Sequence, residues 1–324
     1  MALDNLYRRG SELNLPRLRA AGVQFVHGDV RQIDDVLAAG PLDALVECSA
    51  EPSVLAGTRG EDPGYAVRTN LLGAFHCLEL ARHHDAQVVF LSTSRVYPVE
   101  QLLSIAVDEG EMRLEIVASQ KTPGITPSGI SEAFPLDGAR TLYGTTKLAA
   151  ELLIGEYAAA YGLSAVVNRC GVIAGPWQMG KADQGVFTYW MLAHVLGRPL
   201  RYIGFSGHGK QVRDLLHVAD LVDLVDAQLA AREHWAGITV NVGGGRDVSL
   251  SLLETTELCA QITGNRIDVS RSGEERPGDI PIYISDCSRL FGLTHWRPQR
   301  PPRRILEDIH AWIRDNEDVV RRTL

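Results

Sequence analysis

The chain has 324 residues, a formal net charge of −8 and the ordinary balance of a globular protein, 45% hydrophobic and 22% charged. The acidic balance argues against a general nucleic-acid or anionic-membrane binder, so any anionic ligand would be met by a few local arginines. The length allows a large core in two lobes. Five scattered cysteines without CxxC spacing read as reduced thiols of a cytoplasmic protein. No metal site is expected, and no apolar run reaches membrane-spanning length.

Strand-like and helix-like segments alternate through the first half. In chain order they are a strand over 23–27, a helix over 33–39, a strand over 44–47, a helix over 66–83, a strand over 88–92, a helix over 142–161 and a strand over 165–169. This rhythm predicts an α/β fold, a doubly wound parallel sheet with helices on both faces. Residues 101–131, rich in Gly, Pro and polar side chains, interrupt it and read as a loop or lid. After Pro176 the pattern turns irregular, apart from a returning strand over 239–242. We therefore expect a sheet domain over 1–175 and a smaller lobe over 176–324.

Tyr143 and Lys147 are four apart in the helix over 142–161, one turn apart on one face. A phenol ionises near about pH 10 and is a poor base, but a neighbouring ammonium favours the phenolate. The pair could take a proton from a substrate hydroxyl while hydride leaves the same carbon. Taken alone, such a pair also arises by chance on a plain surface helix. The strand over 88–92 adds weight, because it runs into Ser92-Thr93-Ser94 where an open α/β sheet gathers its chemistry. Thr93 could hydrogen-bond the same substrate oxygen. Together, Thr93, Tyr143 and Lys147 resemble the catalytic triad of the extended short-chain dehydrogenase/reductase family, and the resemblance runs over nearly the whole chain. It implies a Rossmann sheet that binds NAD over 1–175 and a substrate-binding lobe over 176–324.

A dinucleotide fold opens with strand, glycine-rich turn and helix, followed by an acidic residue at the second strand end. Here the acidic residue is present and the opening is not. Ala2-Leu3-Asp4-Asn5-Leu6 resembles the tail of the second strand, with Asp4 placed for the adenosine ribose and Asn5 beside it. On its residues alone, Asp4 is equally a turn or helix-cap residue. An Asp there favours NAD over NADP, since it would repel a phosphate on the ribose. His27-Gly28-Asp29-Val30 resembles the next strand end, with Asp29 and Val30 toward adenine. Cys48, Ser49 and Ala50 take a fourth strand end, where small residues let backbone approach the cofactor. Asn70 matches a family Asn that supports the site, or is a solvated polar residue. The absent first strand would lie centrally in the sheet, so a gap is expected between its two neighbours. The cluster Gly243-Gly244-Gly245 is a turn and no substitute. The expectation is a parent protein with roughly thirty more residues at its start.

The residues after Thr93 bear on the reaction. Dehydratases of the family place an Asp-Glu pair there, whereas this chain has Ser94-Arg95. Elimination is therefore disfavoured, and oxidation followed by re-reduction with inversion is expected. Gln211-Val212-Arg213-Asp214 and Arg276-Pro277-Gly278-Asp279 resemble the family's diphosphate-binding positions; for each arginine alone a surface salt bridge is as good a reading. Asp183 and Gln184 would line the sugar or nucleotide pocket, or form an exposed loop. These segments, with Asp4–Ser11 and Asn241-Val242-Gly243-Gly244, look most like the CDP-tyvelose (CDP-paratose) 2-epimerase group, acting on carbon 2 of a CDP-3,6-dideoxyhexose. The alternatives are a UDP-hexose or uronate 4-epimerase and a non-catalytic truncated remnant. The resemblance also implies a homo-oligomer through the helices over 66–83 and 142–161.

Overall fold

The computed structural model describes residues 1–57, 62–180 and 184–323. Four strands, Ala44–Glu47, Gln87–Thr93, Ala165–Cys170 and Ile238–Val242, lie side by side in that order, every link parallel. The two central strands are runs of Val, Phe and Ala buried nearly throughout, as strands covered on both faces must be. One face packs Val88, Phe90, Ala165 and Val167 against Ala74, Leu78, Ala150 and Ile154 of the helices Gly73–His83 and Leu142–Tyr161. The other packs Val89, Val166 and Val240 against Leu221 and Leu224 of the helix Val218–Ala230. This is the doubly wound α/β architecture expected from the sequence. Among the described residues no helix is long and apolar enough to cross a membrane.

Ala2–Asp4 pairs in parallel with Phe25–His27 as a separate two-stranded sheet. Leu3 and Leu45 nevertheless pack against one small cluster of Val36, Ala39, Cys77 and Leu80. The strands Ala2–Asp4 and Ala44–Glu47 are thus neighbours in the core without being hydrogen-bonded to each other, the gap expected from the sequence.

Three expectations change in detail. The helix over 66–83 starts earlier, at Pro63, because the Asp62 side chain accepts from the Gly64 amide and caps it; a π-helical turn over Arg68–Leu72 then precedes Gly73–His83. The strand over 88–92 extends through Thr93, so the hydroxyl sits at the strand's last residue. Residues 101–131 are not a loose lid. They finish the helix Val99–Leu103 and form two short antiparallel hairpins, Val107–Glu109 with Leu114–Ile116 and Ile125–Thr126 with Gly129–Ile130. Leu114 N–H donates to the Lys210 carbonyl, and Ile130 bridges to Ser285, so long-range partners hold pieces too short for periodicity to reveal.

The chain leaves the main sheet at Gly171 and enters a second one, Val172–Ala174, Val212–His217, Ser249–Ser251 and Ile282–Tyr283. Behind it Phe187, Met191, Leu250, Ile305 and Ile309 form a separate core. The junction closes on one buried carboxylate. A side chain at Gly171 or Gly243 would collide with Asp214, whose Oδ2 accepts from the amides of Ser285 and Gly245.

Two outcomes follow from these contacts. A Cβ on Gly144, in the first turn of Leu142–Tyr161, would stand 2.0 Å from the Arg95 carbonyl oxygen. Gly144→Ala should therefore lower stability by roughly 1–3 kcal/mol, measured by urea unfolding. Burial pushes the Asp214 carboxyl up to about 6. The folded chain therefore keeps a proton the unfolded chain has lost, and this contribution is full below about pH 4 and is lost as pH rises through about 6. Asp214→Asn should flatten that part of the pH–stability curve by roughly 2–3 kcal/mol across the window.

Candidate active site

The first turn of Leu142–Tyr161 rests on the backbone that follows Thr93, and this places Tyr143 beside it. Thr141 caps the helix by accepting from the Gly144 amide, and the absence of a side chain at Gly144 allows the close approach. The Thr93 hydroxyl accepts from the Arg95 amide at 3.2 Å and is within hydrogen-bonding reach of the phenol. Burial raises the phenol above its ordinary value, and Lys147, Thr93 and Arg95 pull it down without cancelling that. The spacing of Tyr143 and Lys147 suggests that the ammonium dominates; in the fold, desolvation is the larger effect.

Lys147 is buried, 1% exposed. Its Nζ is 3.9 Å from the centre of the Phe90 ring and donates to Glu47 Oε2 at 3.3 Å. Asn70 is buried and clamps the layers together. Its Oδ1 accepts from the Glu51 amide, and its Nδ2 donates to the Glu51 carbonyl and, at 3.0 Å, to the Thr146 hydroxyl. It is a structural brace between the helix bearing Tyr143 and the loop after Ala44–Glu47, not a solvated polar residue.

The structure brings Thr93, Tyr143, Gln184, Gln211, Arg213 and Arg276 together around one cleft of about 810 Å³. Asp183 lies outside the described residues. Gln211 donates to the Ile203 carbonyl, and its buried Oε1 has no partner among the described residues. Arg213 is held by Asp279 at 2.8 Å and by the carbonyls of Val212 and Ile280; the salt-bridge reading is realised here, inside the cleft wall. Arg276 is exposed at the rim and makes no ion pair among the described residues.

The cofactor-side residues lie apart from that cleft lining, at the ends of the parallel strands. Asp4 Oδ1 accepts from the Leu6 amide at 2.6 Å, so the turn reading holds for one oxygen; the side chain is exposed, and its second oxygen has no hydrogen-bond partner among the described residues. Asn5 donates to Asp29 at 3.0 Å. Asp29 is also gripped by Arg31, which holds its carboxyl well below the usual carboxylate range. That carboxylate therefore ties two strand ends together rather than pointing free toward a base. The Val30 carbonyl bonds the His76 ring. Cys48, Ser49 and Ala50 follow Ala44–Glu47, with the Ser49 hydroxyl donating to Glu47. The donor set fits a dinucleotide: an available carboxylate oxygen at Asp4 suits ribose hydroxyls, and Tyr143 and Thr93 close the far end.

Sequence reasoning missed several residues. Arg8, Arg9, Arg95 and Arg201 join Arg213 and Arg276 on the cleft lining, where Asp279 is the one carboxylate among the described residues. Arg8 reaches across the chain to the Met179 carbonyl, and Arg95 donates to the Gly278 carbonyl. Burial and the neighbouring Arg213 bring Arg95 down to about 10. The sequence marks Arg95 only as a replacement for an acidic pair and Arg8 and Arg9 only as part of the segment Asp4–Ser11, and nothing local marks Arg201. Glu47 was also missed, since a charge ending an apolar strand reads as a boundary.

Comparison with known proteins agrees with this geometry. The model of the NAD dependent epimerase/dehydratase family matches residues 2–243. A CDP-paratose 2-epimerase of Salmonella typhi is 29% identical over 322 residues, covering 96% of this chain and 91% of that protein. A UDP-glucose 4-epimerase of Corynebacterium glutamicum is 27% identical over 303 residues, 90% of this chain and 82% of the relative. The fold matches the crystal structure of a Thermus thermophilus UDP-glucose 4-epimerase in complex with NAD, with a TM-score of 0.76 and 24% identity over 96% of this chain and 90% of the other. The chain belongs to the NAD dependent epimerase/dehydratase family of nucleotide-sugar enzymes.

Proposed function

We propose that the protein inverts one carbon of a nucleotide-activated sugar, a CDP-3,6-dideoxyhexose at carbon 2, by transient oxidation and re-reduction. The observation that carries the reading is a cationic cleft in a chain of net charge −8, with Thr93 and Tyr143 on its wall. A diphosphate suits the arginines, of which Arg213 is already oriented by Asp279. Tyr143 Oη takes the proton of the sugar hydroxyl, and Thr93 holds the same oxygen. NAD, which Asp4 and Tyr143 would help to hold, would supply the acceptor and donor for the hydride on the same carbon. The ketosugar turns its other face between the two transfers, and Tyr143 returns the proton. The choice of CDP and carbon 2 is supported by the 29% identity to the Salmonella typhi epimerase. The UDP-hexose or uronate 4-epimerase is the alternative, supported by the 27% identity to the UDP-glucose 4-epimerase and by a 28% identity to a probable UDP-glucuronate 4-epimerase of Rhizobium meliloti.

The proposal includes the division into a cofactor-binding part over 1–175 and a mainly substrate-binding lobe over 176–324, supported by the separate core behind the second sheet. It also includes a homo-oligomer. The helical segments expected to form it leave Leu72 39% and Leu152 66% exposed.

Offered CDP- and UDP-sugars with NAD, the protein should invert carbon 2 of the CDP-dideoxyhexose, located by NMR; activity confined to UDP-hexoses would remove the CDP assignment. Tyr143→Phe should lower turnover by roughly 10²–10⁴-fold with substrate affinity retained. Unchanged turnover would remove Tyr143 as the base. Leu152→Glu should reduce the oligomer fraction in sedimentation without loss of helical signal, and an unchanged sedimentation coefficient would exclude that helix from the interface.

A further inference from the structure

Glu47 ends the strand Ala44–Glu47 and is 4% exposed. Alternation puts it on the same side as Leu45, which packs with the core beneath Leu142–Tyr161. A carboxylate there is costly unless it is matched. Its match is Lys147, a hundred residues along the chain, at 3.3 Å, and its other oxygen accepts from Ser49. We propose that Glu47 is a positioning residue, the counter-ion that aims the Lys147 ammonium and keeps its proton on. This rests on reading Tyr143 as the base whose charge Lys147 supports.

The surroundings leave Glu47 without a substitute. Phe90 covers the ammonium from the neighbouring strand. Two buried thiols bear on Lys147 from the packed elements: Cys170, pushed up to about 12, and Cys77, pushed well above its ordinary value, in each case chiefly by burial. Both are neutral at working pH. On its own helix, Tyr143 lies one turn before, and Glu151 one turn after is taken up by Arg169 at 2.7 Å and by Ser92. Glu47 is thus the one unshared anion beside Lys147 among the described residues. A buried lysine without such a partner releases its proton near or below neutrality. A carboxylate so close weakens the ammonium's pull on the phenol, but a neutral amine would exert almost none. Retaining the charge is the larger effect.

The chain has only four lysines, Lys121, Lys147, Lys181 and Lys210. Labelled-lysine NMR of the whole protein can therefore follow the Lys147 ammonium, assigned by its loss in Lys147→Met. In Glu47→Gln its midpoint should fall by about two pH units or more. Glu47→Asp should restore most of that fall, and it serves as the test variant if Glu47→Gln does not fold. In parallel, the alkaline limb of kcat/KM for the active nucleotide sugar should move down in Glu47→Gln and return in Glu47→Asp. An unchanged Lys147 titration in a folded variant, or a uniform loss of kcat with both limbs in place, would overturn the proposal. The titration needs no turnover, so it judges Glu47 even if Tyr143→Phe removes Tyr143 as the base.

Discussion

A lysine ammonium shut away from water has to bring its own electrostatic support, and the site is organised around that necessity. Lys147 is buried over an aromatic ring and beside a carboxylate from a distant strand. The helix that carries it can lie so close to the sheet only because Gly144 offers no side chain to the Arg95 carbonyl. The same contact delivers Tyr143 to Thr93. Asn70 then fixes the helix to the loop beyond Glu47 through both ends of its amide. Charge, close packing and hydrogen bonding thus act on one helical turn, and the phenol's surroundings are their product.

The second organising feature is a reversal of sign. The chain is acidic as a whole, yet among the described residues six arginines line the cleft and one carboxylate faces them. Like charges held together in a partly closed space raise the local potential for an anionic ligand. They also cost stability, which the backbone carbonyls of Met179, Gly278 and Ile280 offset by accepting from Arg8, Arg95 and Arg213. The Met179 and Gly278 carbonyls lie far along the chain from Arg8 and Arg95, so the cleft's charge and its long-range closure share contacts. Asp214 lies at the same junction, caged by Gly171 and Gly243.

Much of the fold was legible because its central strands are short apolar runs and its long helix is well punctuated. Ala44–Glu47 and Leu142–Tyr161 have the bounds expected of them, the latter opened by Thr141 and closed by Gly162 at φ 70°. The placing of Tyr143 beside Thr93 was legible because helical spacing and strand ends are local properties. The hairpins within 101–131 were not, since strands of two or three residues carry no period and depend on partners such as Lys210 and Ser285. The grip of Arg31 on Asp29 could have been noticed from their spacing, but its effect, a carboxylate with little left to offer a base, needs coordinates. Glu47 and Arg8 act on residues a hundred or more positions away. Only the fold brings such pairs together.

The chemistry itself is open to one direct test. A nucleotide sugar carrying deuterium at the carbon that is inverted can be turned over with NAD in ordinary water and the product examined by mass spectrometry. If Tyr143 handles only the hydroxyl proton while the carbon-bound hydrogen is removed and returned inside the site, the inverted product should retain its deuterium. Replacement of that deuterium by solvent hydrogen would mean that a base deprotonates the carbon itself, and Tyr143, Thr93 and Lys147 would not have the roles assigned to them.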